Sequence, residues 1–164
     1  MTNVETKDSA VTDSVDDRHD RAAKIISSAV KWSAGAGAIP VPVIDLVALG
    51  AVQTRMLSEL SELYGQSFRQ EYGRATVSVL LGTLLPGTVT GALVGSAVKT
   101  VPVVGTLSGM ASMAIFGAAA TYAIAKVFVR HLEGGGSLAS FSPQAVKDEL
   151  AAEFSKGKAK QATA

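Results

Sequence analysis

Two long runs without a charged side chain, Ala75 to Val98 and Thr100 to Ala125, are separated only by Lys99. They hold 24 and 26 residues. Helices of those lengths rise roughly 36 to 39 Å, and a bilayer's hydrocarbon core is about 30 Å thick. Each run can therefore cross a membrane with some tilt. Two such helices joined by a tight turn predict a membrane helical hairpin in an all-α protein.

Composition points the same way. Apolar residues make up 48% of the 164 residues and charged ones 18%, against about 25% charged in an average soluble domain. Fifteen Lys and Arg face 14 Asp and Glu, a net charge of +1 with no long basic run. Nucleic-acid binding therefore has no electrostatic footprint. Cysteine is absent, which excludes disulfides, thiolate metal sites and cysteine nucleophiles. The first 20 residues carry six acidic side chains and no apolar run, unlike a cleavable secretory signal.

Along the chain, residues 1–17 are polar and aperiodic and read as a disordered acidic tail. A single helical, membrane-associated domain is expected over 18–137. Its first amphipathic helix runs from about Arg18 to Ala34, with Ala22, Ile25, Ile26, Ala29 and Ser33 on one face. Gly35, Gly37 and the run Ile39-Pro40-Val41-Pro42 end it. Asp45 has the chemistry of an N-cap for a second helix reaching Tyr64 or Tyr72. Leu46, Leu49, Val52, Met56, Leu60, Leu63 and Tyr64 line its apolar side, with Arg55, Glu59 and Glu62 opposite. Spanning segments are expected at 75–98 and 101–129, the first interrupted by Pro86-Gly87 and the second opening on Val101-Pro102. The glycine run at 134–136 reads as a flexible break. Over 138–164, Ser142 and Pro143 start a short amphipathic helix bearing Val146, Leu150 and Phe154, and the end from Lys156 to Ala164 is expected to fray.

Gly87, Gly91 and Gly95 in the first run, and Gly105 and Gly109 in the second, recur every four residues. Such spacing places them on one helix face, where a second backbone can approach closely. Lys99 belongs in the turn, because a lysine at the bilayer centre costs about 2.5 to 3.5 kcal/mol. Lys126, Arg130 and His131 stand where the second span leaves the bilayer and read as interface anchors. Eight Lys or Arg precede the apolar runs and six follow them, so the positive-inside tendency puts both termini in the cytoplasm. His19 beside Asp17 and Asp20 is too sparse a set for metal. No phosphate-cradling glycine loop or nucleophile–base pair is apparent, so no cofactor or small-molecule substrate is expected and an enzyme is disfavoured.

Several residues resemble a bacterial family, domain of unknown function six-nine-seven, the YcjF-like group. The first matching block is Ile39-Pro40-Val41-Pro42-Val43-Ile44-Asp45-Leu46, continuing through Gln53, Arg55, Met56 and Glu59 to Leu63-Tyr64-Gly65. The second is Val101-Pro102-Val103-Val104-Gly105-Thr106, then Ala120-Thr121-Tyr122-Ala123 and Phe128 to Gly136. The resemblance implies a small helical membrane-associated segment, often fused to or encoded near Era-like GTPase domains. It carries no active site over to this chain, and this chain has no GTPase module.

The expected function is therefore a non-enzymatic inner-membrane anchor or platform. Its amphipathic helices would bind a protein partner, a GTPase among the candidates, or a second copy. Asp45, Arg55, Glu59 and Glu62 are the candidate contact face. One alternative is an oligomeric pore lined by Lys99, Thr83, Thr88 and Thr90. Another is a soluble all-helical interaction domain that buries both apolar runs in its centre, which a chain this short has little material to cover.

Overall fold

A computed structural model describes residues 5–36, 42–85 and 106–163, and their regular structure is helical. The α-helices are α1 (Glu5–Ala36), α2 (Pro42–Leu63), α3 (Gln70–Leu84), α4 (Thr106–Glu133) and α5 (Lys147–Ala162), with a 3-10 turn at Leu138–Ser140. Gly87, Gly91, Gly95, Lys99 and Gly105 lie outside the described residues, as do Thr88 and Thr90.

The amphipathic stripes form the faces that their spacing implies. Ala22, Ala29 and Ser33 of α1 are buried, with Ile25 and Ile26 half-buried beside them. On α2, Leu49, Met56, Leu57 and Leu60 are buried. On α3 the buried face is Gly73, Val77, Leu80 and Leu81. These faces close on α4. Five consecutive α4 residues from Gly117 to Thr121 are buried, more than one turn at 3.6 residues per turn, so protein covers that stretch on every side. Ala123, Ile124, Ala125, Val127 and Phe128 continue the core.

Small side chains permit this enclosure. A Cβ added to Gly117 would sit 3.0 Å from the Ser33 carbonyl oxygen of α1 and 3.5 Å from Leu49 of α2. From the other side, a Cβ on Gly157 of α5 would lie 3.1 Å from the Ala119 backbone. The backbones of α1, α4 and α5 thus meet with almost nothing between them.

Side-chain pairs fix the helix directions. His19 meets Glu133 at 3.3 Å and Ser33 meets Thr121 at 2.7 Å, so α1 runs antiparallel to α4. Gln53 reaches Thr121 at 3.1 Å and Tyr64 reaches Glu133 at 3.1 Å, so α2 runs parallel to α4. One α2–α3 groove is lined by Thr54, Arg55 and Ser58 with Phe68 and Arg74, the next by Val47, Gly50 and Ala51 with Val77 and Leu81. That order makes α2 and α3 antiparallel. Arg130 pairs with Glu149 while Ala119 meets Gly157, so α5 is antiparallel to α4.

Several boundaries differ from the sequence reading. α1 begins at Glu5, within the stretch expected to be a disordered tail. α2 begins at Pro42 rather than after Asp45, because proline at the first helical position loses no hydrogen bond and is preset in φ. It ends at Leu63, short of Tyr72. The 134–136 glycines form an ordered turn, with Gly135 at φ 81° and Gly136 N–H donating to the His131 carbonyl at 2.9 Å. A further turn at 143–146 precedes α5, so Ser142 and Pro143 do not start it. α5 then continues to Ala162 through the lysine-rich stretch expected to fray, held by the contact of Gly157 with α4.

Among the described residues one helix is long and apolar enough to cross a membrane, Met113–Glu133, with a mean hydropathy of 1.4. Yet 56% of its most apolar window is buried inside the protein. The helices around it expose Lys24, Lys31, Arg55 and Lys158, which face water more cheaply than hydrocarbon. The expectation that lipid surrounds the whole of 75–125 therefore fails for Val77, Leu80, Leu81 and the stretch from Gly117 onward. There the surrounding medium is polypeptide.

Replacing Gly117 by Leu should destabilise the bundle by about 1–3 kcal/mol, because the added atoms must displace the α1 backbone. Gly50, with nothing within 4 Å of an added Cβ, should gain up to about 1 kcal/mol as alanine. Thermal melts of both variants followed by circular dichroism in mild detergent compare the two.

Candidate membrane-facing end and partner-facing groove

The helix directions bring several chain segments to one end of the bundle. α1 ends there at Ala36, α2 starts there at Pro42, and α3 ends there at Leu84. α4 begins beyond that level: its first well-enclosed residue, Gly117, is eleven positions after Thr106, about 16 Å of helix. Residues 86–105, which connect α3 to α4, lie outside the described residues. Their sequence carries a single charge, Lys99. Gly109, one of the spaced glycines, lies in the first turn of α4. Thr83, a candidate pore residue, is exposed but donates its hydroxyl to the Leu80 carbonyl at 2.7 Å.

The opposite end is polar. Tyr64 donates to Glu133 at 3.1 Å, His19 lies 3.3 Å from the same carboxylate, and Arg18 stacks 5.6 Å from the Tyr64 ring. Burial first, then the bond to Glu133 and its charge, push the Tyr64 phenol up to about 12.

Arg130 and His131, expected as interface anchors, have protein partners near this end. Arg130 pairs with Glu149 and, at 3.6 Å, with Glu153. His131 Nε2 lies 3.0 Å from the Ser137 carbonyl and 3.1 Å from Ser140 Oγ, and its ring stands edge-on to Phe141. Their chemistry pins the loop after α4 and the start of α5. Lys126 is exposed on α4. Sequence spacing could not show these pairings, because each partner lies beyond the glycine turn.

Of the candidate contact face, Arg55 and Glu59 are brought together, with Arg55 Nε donating to Glu59 Oε1 at 2.8 Å. They rim an open groove floored by Ile25, Ala29, Val52 and Met56 and flanked by Trp32. Glu62 is exposed further along α2. Asp45 falls in the first turn of α2, and its side chain is outside the described residues. Sequence analysis missed the polar node beneath this groove, where Thr121 bonds both Ser33 and Gln53 and all three side chains are buried. The signal was present: Ser33 and Gln53 interrupt otherwise apolar or small helix faces.

Glu153 of α5 is 5% exposed yet ionisable. Lys156 donates to it at 2.9 Å, and this bond, helped by the charges of Lys156, Arg130 and Lys126, outweighs burial and holds its carboxyl below the usual range. Among the described residues no three His, Cys, Asp or Glu side chains converge to hold a metal.

Among the described residues these features define a helical bundle with an apolar helix at its centre and polar outer sides. The chain matches the family described as Domain of unknown function (DUF697) over residues 2–156 and belongs to it. It is also 37% identical over 138 residues, 84% of this chain and 71% of the relative, to Magnetosome membrane protein 22 of Magnetospirillum gryphiswaldense. No solved structure matches.

Glu153→Gln should cost about 1 kcal/mol at neutral pH, since its partners are more than half exposed and screened by solvent. A carboxyl depressed in the folded state stabilises above its unfolded value, about 4.3, and that contribution vanishes as pH falls through the folded value. The melting difference between parent and variant should thus be full at pH 7 and shrink as the pH is taken down below about 4.3.

Proposed function

We propose that the protein is a non-enzymatic membrane protein whose helical bundle stands on the cytoplasmic face of the inner membrane and offers its sides to a protein partner or a second copy. The observation that carries this reading is the shared end at which α3 stops and α4 starts. A stretch of 20 residues, 86–105, with Lys99 as its only charge, connects them. Together with the projecting turns of α4 it inserts into lipid and returns, which keeps both termini on one side. The basic residues of the bundle assign that side to the cytoplasm. The membrane protein named among its relatives supports the same placement.

The partner surface is the groove between α1 and α2. An apolar floor rimmed by the Arg55–Glu59 pair suits an amphipathic helix whose charges answer that pair. Partners of the GTPase class fit the resemblance seen in the sequence. Nothing in the site supplies a nucleophile, a base and an electrophile within reach of one another, so binding rather than turnover is its chemistry.

Alkaline carbonate washing of membranes should leave the protein in the pellet. Exchanging residues 86–105 for a Gly-Ser linker long enough to reach from Leu84 to Thr106 should release it as a folded helical protein. A parent protein that washes off quantitatively overturns the membrane placement. Crosslinking from a photoreactive residue at Arg55 should capture a protein partner, with loss of capture in Glu59→Lys.

A further inference from the structure

The membrane-directed end of the bundle carries a second pattern. Large apolar side chains stand exposed around it: Trp32 on α1 at 71%, Val47 on α2 at 70% and Val79 on α3 at 41%. They lie near the level of Gly117 to Thr121 on α4, because Ser33 meets Thr121, Leu49 meets Gly117 and α3 runs back along α2. Exposed lysines share that level, Lys31 on α1 and Lys158 and Lys160 on α5, whose Gly157 touches Ala119.

Acidic groups are sparse there. α1 has none after Asp20, α3 none after Glu71, and α4 none before Glu133. Glu153 of α5 is occupied by Lys156 and Arg130, leaving Asp45 in the first turn of α2 as the acid at this end. The acidic side chains of α1, and Glu59, Glu62, Glu133 and Glu149, lie toward the opposite end. Lys158 lies 5.9 Å from the Phe154 ring and Lys160 5.6 Å from the Tyr122 ring, and both side chains are exposed. An exposed indole beside exposed lysines is the composition of a membrane–water interface.

We propose that this end is a lipid-docking collar, with Trp32, Val47 and Val79 seated at the headgroup level and Lys31, Lys158 and Lys160 meeting anionic headgroups. The collar rests on the insertion proposed above and adds to it a preference for acidic lipid. It sets how deeply the bundle sits. The groove with Arg55 and Glu59 adjoins the collar at Trp32, so it opens beside the headgroups.

Trp32 is the sole tryptophan, so its fluorescence reports this end alone. Full-length protein is reconstituted into vesicles of phosphatidylcholine, or of phosphatidylcholine with phosphatidylglycerol, containing lipids brominated near the headgroup or near the chain end. The expected result is stronger quenching by the shallow bromines, enhanced in the anionic vesicles. In the triple variant Lys31→Gln, Lys158→Gln, Lys160→Gln, with helical content checked by circular dichroism, quenching in the two vesicle types should become equal while the protein still floats with them. Protein that floats while Trp32 remains open to aqueous iodide and untouched by bromine overturns the collar and leaves insertion standing. Trp32 shielded from both quenchers also overturns it, and assigns the surface to a second protein copy. Protein that does not float overturns insertion and the collar together.

Discussion

How closely other backbones can approach α4 decides the architecture. Between Gly117 and Ala125 its side chains are small apart from Tyr122 and Ile124, and α1 and α5 come within contact of its main chain at Gly117 and Ala119. Larger residues there would hold the neighbours away and leave α4 partly uncovered. An uncovered apolar helix needs lipid or another copy. Close approach supplies the cover from within the chain, so the enclosed part of α4 serves as the core of a bundle with wet outer faces.

Apolar contact of this kind is tight but weakly directional, since one small-residue face slides over another at little cost. The polar node supplies direction. Thr121 accepts from Gln53 and shares a hydrogen bond with Ser33, and a slip of one turn would strand these groups in the core at about 1–3 kcal/mol each. Gln53 Oε1 already lacks a protein partner, so further loss is poorly tolerated. Registering α1, α2 and α4 on one point also brings the end of α3 and the start of α4 to the same end.

The inward faces of α1 and α2 were legible because amphipathic periodicity is a local property. Ala22, Ala29, Leu49, Met56 and Leu60 fall where a 3.6-residue repeat puts them. The medium around α4 was not legible. Ala, Val and Ile transfer from water into hydrocarbon and into a protein interior at comparable gain, so hydropathy alone cannot tell the two apart. The distinguishing facts are which helices arrive and what they carry outside. A hint was present, since Gly105 and Gly109 extend at four-residue spacing through Met113 to Gly117, and only Gly117 among these is seen making the contact. The Arg130 and His131 partnerships depend on the turn at Gly135, which folds the chain back so that Glu149 and Ser140 reach them. Long-range closure of that kind leaves no trace in spacing.

Under the proposed placement one apolar helix is divided between two media, which would fix the relation between them. The enclosed part of α4, from Gly117 onward, holds α1, α2 and α5 in place. Because one continuous helix links the two parts, a tilt or vertical shift of the apolar segment is carried to the groove beside Arg55 and Glu59 without an intervening hinge. The Ser33–Gln53–Thr121 node sits beneath that groove and resists internal slippage, so the bundle responds as a body. A partner seated there would be held at a defined height and orientation above the bilayer.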